Sequence, residues 1–139
     1  MALKFQPRAR MVLICNFRGF EEPEMVKSRP VVVLAWNRQN RHLATVVPLS
    51  TTPPFRPQAW HYRLLEPLGL LPSRPAMWAK GDMLYTVSTG RLYPLGVAQD
   101  HHAALRMAPS DYLAVRRAVL AWLGIPLTAK LPLDNDLKA

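Results

Sequence analysis

Hydrophobic positions in this chain of 139 residues fall in short runs rather than in long blocks. Fourteen prolines and six glycines interrupt the chain, so the segments between turns are short, which favours strands. The apolar runs typical of strands are residues 11–17, 30–37, 43–49, 60–65 and 83–87, with a weaker run at 92–97. Short strands separated by turns predict a small barrel or a compact antiparallel sheet.

Two connections between these runs have distinct compositions. Residues 37–41 are polar and rich in turn formers, so the second and third runs are predicted to form a hairpin. Residues 52–58 contain three prolines, too many for the interior of a sheet, and predict an exposed loop.

One segment has the pattern of a helix. Ser110 follows Pro109 as a candidate N-cap, and Asp111 lies in the first turn, where a negative charge is favourable. Apolar side chains then recur at helical spacing: Tyr112, Val115, Val119 and Trp122. Gly124 ends the pattern. The chain is therefore predicted to be mainly β with a C-terminal helix.

The length fits a single domain, which we expect to span residues 1–125. Residues 126–139 have no periodicity and predict a flexible tail that becomes ordered only against a partner. No apolar run approaches the roughly 18–20 residues that span a bilayer, and the first residues lack the apolar region of a signal peptide. The single cysteine, Cys15, lies in an apolar run and is expected to be a buried side chain. These features predict a cytoplasmic protein with no membrane contact.

Positive charge is concentrated in the first half of the chain. Lys and Arg number 18 against 9 Asp and Glu, for a net charge of +9. Residues 1–63 hold ten of the basic and three of the acidic groups. The positive electrostatic field of these charges attracts polyanions, so a nucleic acid or an acidic protein is the expected partner. The alternative is that the charge only keeps the surface soluble.

The usual signatures of catalysis are absent from the sequence. It has no Gly-rich phosphate loop, no zinc-ligand spacing and no Gly-x-Ser-x-Gly motif. His101 and His102 are adjacent, but no cysteine or pair of carboxylates accompanies them in sequence. We therefore expect no metal site and no cofactor.

Basic and hydroxyl residues mark the two ends of the predicted hairpin. Arg29 precedes the proline that opens the second strand, and Ser50, Thr51 and Thr52 close the third. The start of one antiparallel strand lies beside the end of its partner, so Arg29 and Ser50 or Thr51 are predicted to share one rim of the sheet. A guanidinium there can bind a phosphate with two hydrogen bonds. The alternative is a surface ion pair beside hydroxyls that cap a turn.

The hairpin also carries two motifs in a fixed order. Residues 24–34 read Glu-x-x-Lys-x-Arg-Pro followed by three valines and a leucine, and residues 46–52 read Val-Val-Pro-Leu-Ser-Thr-Thr. Together they resemble the core of the MazF/PemK family of toxin ribonucleases, in which a strand beginning Arg-Pro is followed by a hairpin and a Pro-x-Thr strand end. Shorter matches occur in order at residues 5–7, 61–64 and 82–92. The resemblance covers roughly residues 5–124.

Three positions depart from the family pattern. Residues 8–10 are Arg-Ala-Arg where the family usually has glycine, and Asn16 stands where aspartate is common. Ser50 occupies the position of the family's threonine, with Thr51 beside it. Serine makes the same hydrogen bonds as threonine, so this departure threatens activity only mildly.

The resemblance implies an SH3-like barrel of about 5–7 short antiparallel strands that assembles as a homodimer. It implies the toxin of a type II toxin-antitoxin system, neutralised by an acidic antitoxin. It further implies a metal-independent endoribonuclease that cleaves single-stranded RNA through the 2′-hydroxyl, leaving a 2′,3′-cyclic phosphate and a 5′-hydroxyl. The site residues it implies are Arg29, Ser50 and Thr51 for catalysis, and Lys27, Thr52, His61 and Asp82 for RNA binding.

Some roles and functions remain open at this point. His61 is chemically the best general acid or base, but it could equally stack on a base. Four aromatic side chains are candidate platforms for bases, although core packing is the commoner role: Trp36, Phe55, Trp60 and Tyr62. The competing functions are a non-enzymatic CcdB-like toxin that binds gyrase and a catalytically disabled RNA-binding regulatory protein.

Overall fold

The computed structural model describes residues 3, 5–66, 68, 77–95 and 105–126. In chain order, its elements are the strands and helices β1 (Val12–Cys15), β2 (Arg29–Trp36), β3 (Leu43–Ser50), β4 (His61–Arg63), β5 (Trp78–Lys80), β6 (Tyr85–Ser88), a 3-10 turn (Thr89–Arg91), β7 (Leu92–Tyr93) and α1 (Pro109–Leu123). The predicted tail from residue 127 onward, and the end of the weak run at 92–97, lie outside the described residues.

The seven strands form one antiparallel sheet. Its order is β4-β5-β3-β2-β1-β7, and β6 also pairs with β3. The prediction of a mainly β fold with about 5–7 short antiparallel strands and a C-terminal helix is confirmed. The sheet is not closed, since in the part of the chain that the structure describes the two end strands, β4 and β7, do not pair.

Side chains alternate between the two faces of β2 and build two cores. Val31 and Val33 belong to a cluster with Phe17 on one face. Val32 belongs to a cluster with Tyr112 of α1 on the other face. The helix therefore covers only one face, because the period of two in a strand sends neighbouring valines in opposite directions.

The start of α1 differs from the prediction. Its N-cap is Ala108, which makes no side-chain capping bond, and Pro109 occupies the first turn. The expected N-cap, Ser110, is inside the helix and exposed. Proline suits this place because its fixed φ fits the helix and its missing N–H has no partner there anyway. The end is as predicted: Gly124 adopts a left-handed conformation with φ 75°.

Asp111 joins the helix to the edge of the sheet. Its carboxylate is only 1 % exposed. It accepts hydrogen bonds from the Tyr62 hydroxyl at 2.6 Å and from the backbone N–H groups of Leu65 and Glu66 at 3.0 Å each. Burial of Tyr62, followed by its hydrogen bond to Asp111 and the nearby negative charge, raises the pKa of Tyr62 to about 12. Tyr62 is thus a packing residue that positions β4.

Candidate functional site

The predicted hairpin is present, and its register brings its two ends together. Val31 of β2 lies opposite Pro48 of β3. This pair ends the β2–β3 ladder, and Arg29, the first residue of β2, and Ser50, the last residue of β3, each lie two residues beyond it at the same end of the hairpin. The Arg29 side chain is exposed and that of Ser50 is half-buried. A guanidinium and a hydroxyl therefore share one rim of the sheet.

The Ser50 hydroxyl takes part in the turn that follows the strand. Its Oγ accepts a hydrogen bond from the Thr52 N–H at 3.1 Å and donates to the Thr52 carbonyl oxygen at 3.5 Å. The first bond is of ordinary length, whereas the second is at the limit for a hydroxyl donor. The Ser50 O–H can therefore turn to a stronger acceptor while Oγ still caps the turn. Thr51 is half-buried and Thr52 is exposed beside it.

Two residues that the sequence did not indicate extend this rim, one on β5 and one on β4. Trp78 lies opposite Ser50 on one side and opposite Arg63 of β4 on the other. Ser50, Trp78 and Arg63 thus lie in register across three strands, and Arg29 of β2 lies at the same end of the sheet. These four residues are called the rim row. Their neighbours Leu49 and Ala79 pack in the core beneath α1. Because side chains alternate along a strand, the rim row lies on the face that α1 does not cover.

His61 and Asp82 form a separate pair on the edge of the same sheet. His61 Nε2 is 3.9 Å from Asp82 Oδ1, and the two side chains are 13 % and 30 % exposed. His61 Nδ1 accepts a hydrogen bond from the Gln58 N–H at 3.0 Å, so a proton on the neutral ring is held at Nε2, facing Asp82. Asp82 Oδ1 is buried and has no hydrogen-bond partner among the described residues.

This pair is distant from Ser50 and Arg29. β5 separates β4 from β3, so His61 is at least two strand spacings, about 10 Å, from β3. It is a further spacing from β2. A single phosphate held between Arg29 and Ser50 is therefore beyond direct reach of the His61 ring in this arrangement.

A groove of about 510 Å³ runs beside Arg29. It is lined by residues 22–27 and by Arg29 itself, so exposed Lys27 and Arg29 share it with carboxylates from the same loop. The Met25 N–H donates to the Tyr85 hydroxyl at 3.0 Å and ties this loop to the sheet. The groove reaches the rim row at Arg29 and is lined by two cations and two carboxylates.

The four candidate base platforms lie in different surroundings. Phe55 is 94 % exposed in the proline-rich loop, which is exposed as predicted. Trp60 packs edge-on against Trp122 with ring centroids 5.2 Å apart, and Tyr62 is held by Asp111. Trp36 is at the far end of β2 from Arg29. Of the four, Phe55 is the most exposed, and the Arg56 guanidinium lies over its ring, 5.7 Å from the centroid.

Residues 8–123 match the model of a protein family described as PemK-like, MazF-like toxin of type II toxin-antitoxin system. No curated protein sequence matches the chain. In the described residues, no helix is long and apolar enough to cross a membrane.

Solved structures of toxins have a similar fold. MazF from Deinococcus radiodurans superposes with a TM-score of 0.65 and 18 % identity, covering 86 % of this chain and 97 % of that one. An endoribonuclease in complex with its cognate antitoxin from a mycobacterial species gives 0.60 and 20 %, with the same coverage. A MazF toxin of Mycobacterium tuberculosis gives 0.59 and 18 %, covering 84 % and 99 %. At such identities the likeness establishes the fold.

Proposed function

The chain belongs to the family of PemK-like, MazF-like toxins of type II toxin-antitoxin systems, and from this we propose that it is an endoribonuclease that cuts single-stranded RNA without a metal. The observation that carries the proposal is the exposed Arg29 guanidinium at the same end of the β2–β3 hairpin as the Ser50 hydroxyl. Structural neighbours from mycobacteria are themselves described as endoribonucleases.

The rim row fits a single strand of nucleic acid. Arg29 and Arg63 stand at its two ends, three strand spacings or about 14 Å apart, so both can bind phosphates of one extended strand. Trp78 lies between them and offers a ring on which a base can stack. Lys27 adds a cation in the groove beside Arg29. These contacts bind backbone and base faces, so they tolerate many sequences.

In the proposed reaction, the RNA supplies its own nucleophile. The 2′-oxygen forms a bond to the adjacent phosphorus and the bond to the 5′-oxygen breaks, which leaves a 2′,3′-cyclic phosphate and a 5′-hydroxyl. Solvent takes up the proton of the 2′-hydroxyl and returns one to the leaving 5′-oxygen. Arg29 stabilises the charge that develops on the phosphoryl oxygens. A guanidinium holds its protons tightly, so it is suited to this role rather than to proton donation.

The hydroxyls and the histidine pair have supporting roles in this proposal. Ser50 turns its O–H from the Thr52 carbonyl to a phosphoryl oxygen. Thr51 is the alternative donor, and Thr52 contacts the RNA backbone. His61 and Asp82 bind a flanking nucleotide, because β5 separates them from the reacting phosphate.

The proposed partners are a second copy of the chain and an acidic antitoxin. Two of the similar structures from Deinococcus radiodurans are MazE–MazF complexes. An acidic, disordered segment can cover the groove that holds Lys27 and Arg29, and inhibition of this kind should weaken with salt. Light scattering should give the mass of a homodimer at micromolar concentration, and a monomer there would contradict the assembly.

The test is cleavage of a long RNA in EDTA, with the fragment ends mapped. Arg29→Ala should abolish cleavage, while Arg117→Ala, which removes an exposed arginine of α1, should leave it within twofold. Ser50→Ala should slow the reaction by about 10²–10³, the effect of losing one transition-state donor. A greater loss in Thr51→Ala would make Thr51 the hydroxyl.

Thermal unfolding controls for the fold of each variant. Near-normal cleavage by folded Arg29→Ala protein would refute the site. If the folded wild-type protein cuts no RNA at all, a gyrase-binding toxin or a disabled RNA-binding regulator becomes the better account.

A further inference from the structure

A second basic site lies at the other end of β2. A cavity of about 940 Å³ opens between the end of the β2–β3 hairpin, the N-terminal segment and α1. Four arginines from three parts of the chain line it: Arg8, Arg38, Arg41 and Arg116. Arg29 begins β2 and the last three residues of β2 line the cavity, so the cavity is about 16–23 Å from Arg29 along the strand. It is not part of the proposed RNA-cleaving site.

The shape of the cavity comes from an irregularity in β2. The β2–β3 register shifts between Val33 and Ala35, which marks a β-bulge. Beyond it, Ala35 lies opposite Thr45, and both line the cavity. Small side chains there leave space that larger ones would fill, while Leu34, Leu84 and Val119 make part of the wall apolar.

Charge in the cavity is of one sign. Among the described residues that line it, there is no Asp or Glu. The Arg41 guanidinium lies over the Trp36 ring, 5.7 Å from its centroid, and the Trp36 Nε1 donates to the Arg41 carbonyl oxygen at 3.4 Å. This pair presents a flat ring and a planar cation at the mouth of the cavity.

We propose that this cavity binds the phosphoryl end of a nucleotide, with the phosphates among the arginines and the base against the apolar wall. A volume within the roughly 300–1,000 Å³ of small-molecule sites suits a ligand of that size. The guanidiniums surround one cavity instead of following a line, which suits a compact polyanion better than an extended acidic peptide with one charge per residue. The ligand is either a free nucleoside triphosphate or the 5′-phosphate end of an RNA.

The matched variants are two neighbouring arginines of α1. Arg116 lines the cavity, whereas the exposed Arg117 does not. In calorimetric titrations of the full chain with ATP in EDTA, Arg116→Ala should weaken binding about tenfold or more, and Arg117→Ala should stay within twofold. Ala35→Glu provides a second test, because Ala35 is exposed and a carboxylate there opposes the phosphates. It should weaken ATP binding to a similar degree.

Two RNA oligonucleotides distinguish a free nucleotide from an RNA end as the natural ligand. In an Arg29→Ala background, which is designed to prevent cleavage, an RNA oligonucleotide with a 5′-phosphate is compared with the same oligonucleotide bearing a 5′-hydroxyl. Tighter binding of the phosphorylated RNA, lost in Arg116→Ala, would assign the site to RNA ends. ATP binding without that preference would assign it to free nucleotides.

Three results would overturn the proposal. The first is no saturable binding of either ATP or the 5′-phosphorylated RNA up to millimolar concentration. The second is an equal loss in Arg116→Ala and Arg117→Ala, which would mean a diffuse surface charge. The third is a glutamate decapeptide that binds as tightly as ATP and is equally sensitive to Arg116→Ala, since the site would then recognise acidic polypeptide. None of these results depends on whether the chain cleaves RNA.

Discussion

Replacing Asp111 by Asn tests the link between α1 and the edge of the sheet. The carboxylate accepts three hydrogen bonds while almost fully buried. An Asn side chain keeps the shape but has one acceptor oxygen in place of two, and its NH₂ group faces a donor. At least one of the Leu65 and Glu66 N–H groups then loses its partner, and the Tyr62 hydroxyl bonds to a neutral acceptor or to none.

The expected cost follows from these contacts. A buried donor left without a partner costs about 1–3 kcal/mol, and a hydrogen bond to a charged group contributes about 1.5–3 kcal/mol against about 1 for a neutral one. Asp111→Asn should therefore lower the free energy of unfolding by about 2–4 kcal/mol. Tyr62→Phe removes one of the three bonds and should cost about 1.5–3 kcal/mol. The double variant should lose less than the sum, because both changes remove the same bond.

Urea unfolding followed by tryptophan fluorescence measures these differences. Ser110→Ala is the matched control, because Ser110 is the exposed neighbour of Asp111 and is not the N-cap. It should change stability by less than about 0.5 kcal/mol. An Asp111→Asn protein within about 1 kcal/mol of wild type would refute the reasoning, as would full additivity of Asp111→Asn and Tyr62→Phe.

The same contact predicts a dependence on alkaline pH. The pKa of Tyr62 is raised from 10.0 to about 12 in the folded protein. The folded state therefore holds the phenolic proton more tightly than the unfolded state does. This contribution is complete below about pH 10 and is lost as the pH rises through about 12. The stability difference between wild type and Tyr62→Phe should shrink over that range, and a constant difference would contradict the assignment.

Two other changes probe the packing. Burial raises the pKa of the Cys15 thiol to about 11 despite the nearby positive charge of Arg91. Cys15 should therefore react with Ellman's reagent only on unfolding. Rapid reaction of the native protein would contradict this. Gly81→Ala should cost about 1–3 kcal/mol in urea unfolding, because a Cβ there would lie 2.8 Å from the Trp60 carbonyl oxygen and 3.0 Å from the α1 backbone. Gly90→Ala, whose Cβ would meet nothing closer than 3.4 Å, is the control, and equal losses at the two glycines would remove the steric explanation.

The parts of the structure that local patterns determine could be predicted from the sequence. The β2–β3 hairpin follows from two apolar runs around a polar turn, and antiparallel pairing then brings Arg29 and Ser50 to the same end of the hairpin. Strand β5 could not be found in this way. Its three residues are too few to have a period, and it is a strand only because β3 and β4 pair with it from distant parts of the chain. The positions of Arg63 and Trp78 in the rim row depend on that pairing, so the sequence did not indicate them.

The role of Asp111 was missed for a related reason. A carboxylate in the first turn of a helix has an adequate local explanation in the helix dipole, so nothing in the sequence points to a contact with β4. In the structure, three donors from residues 62–66 surround it and keep it buried. Local patterns identify which residue types a position favours, whereas long-range packing decides which of their groups are used.

The two ends of the rim row are supported differently. Arg29 begins β2, which pairs on both sides, with β1 and with β3. Arg63 and His61 are on β4, a strand of three residues that, among the described residues, pairs with β5 alone and is tied to α1 through Tyr62 and Asp111. In the proposed enzyme, the group that stabilises the reacting phosphate is therefore on a strand that is held on both sides. Contacts to flanking nucleotides come from a strand that is held by β5 and by one buried carboxylate, so changes there should alter how tightly RNA is bound more than how the bound phosphate is cut.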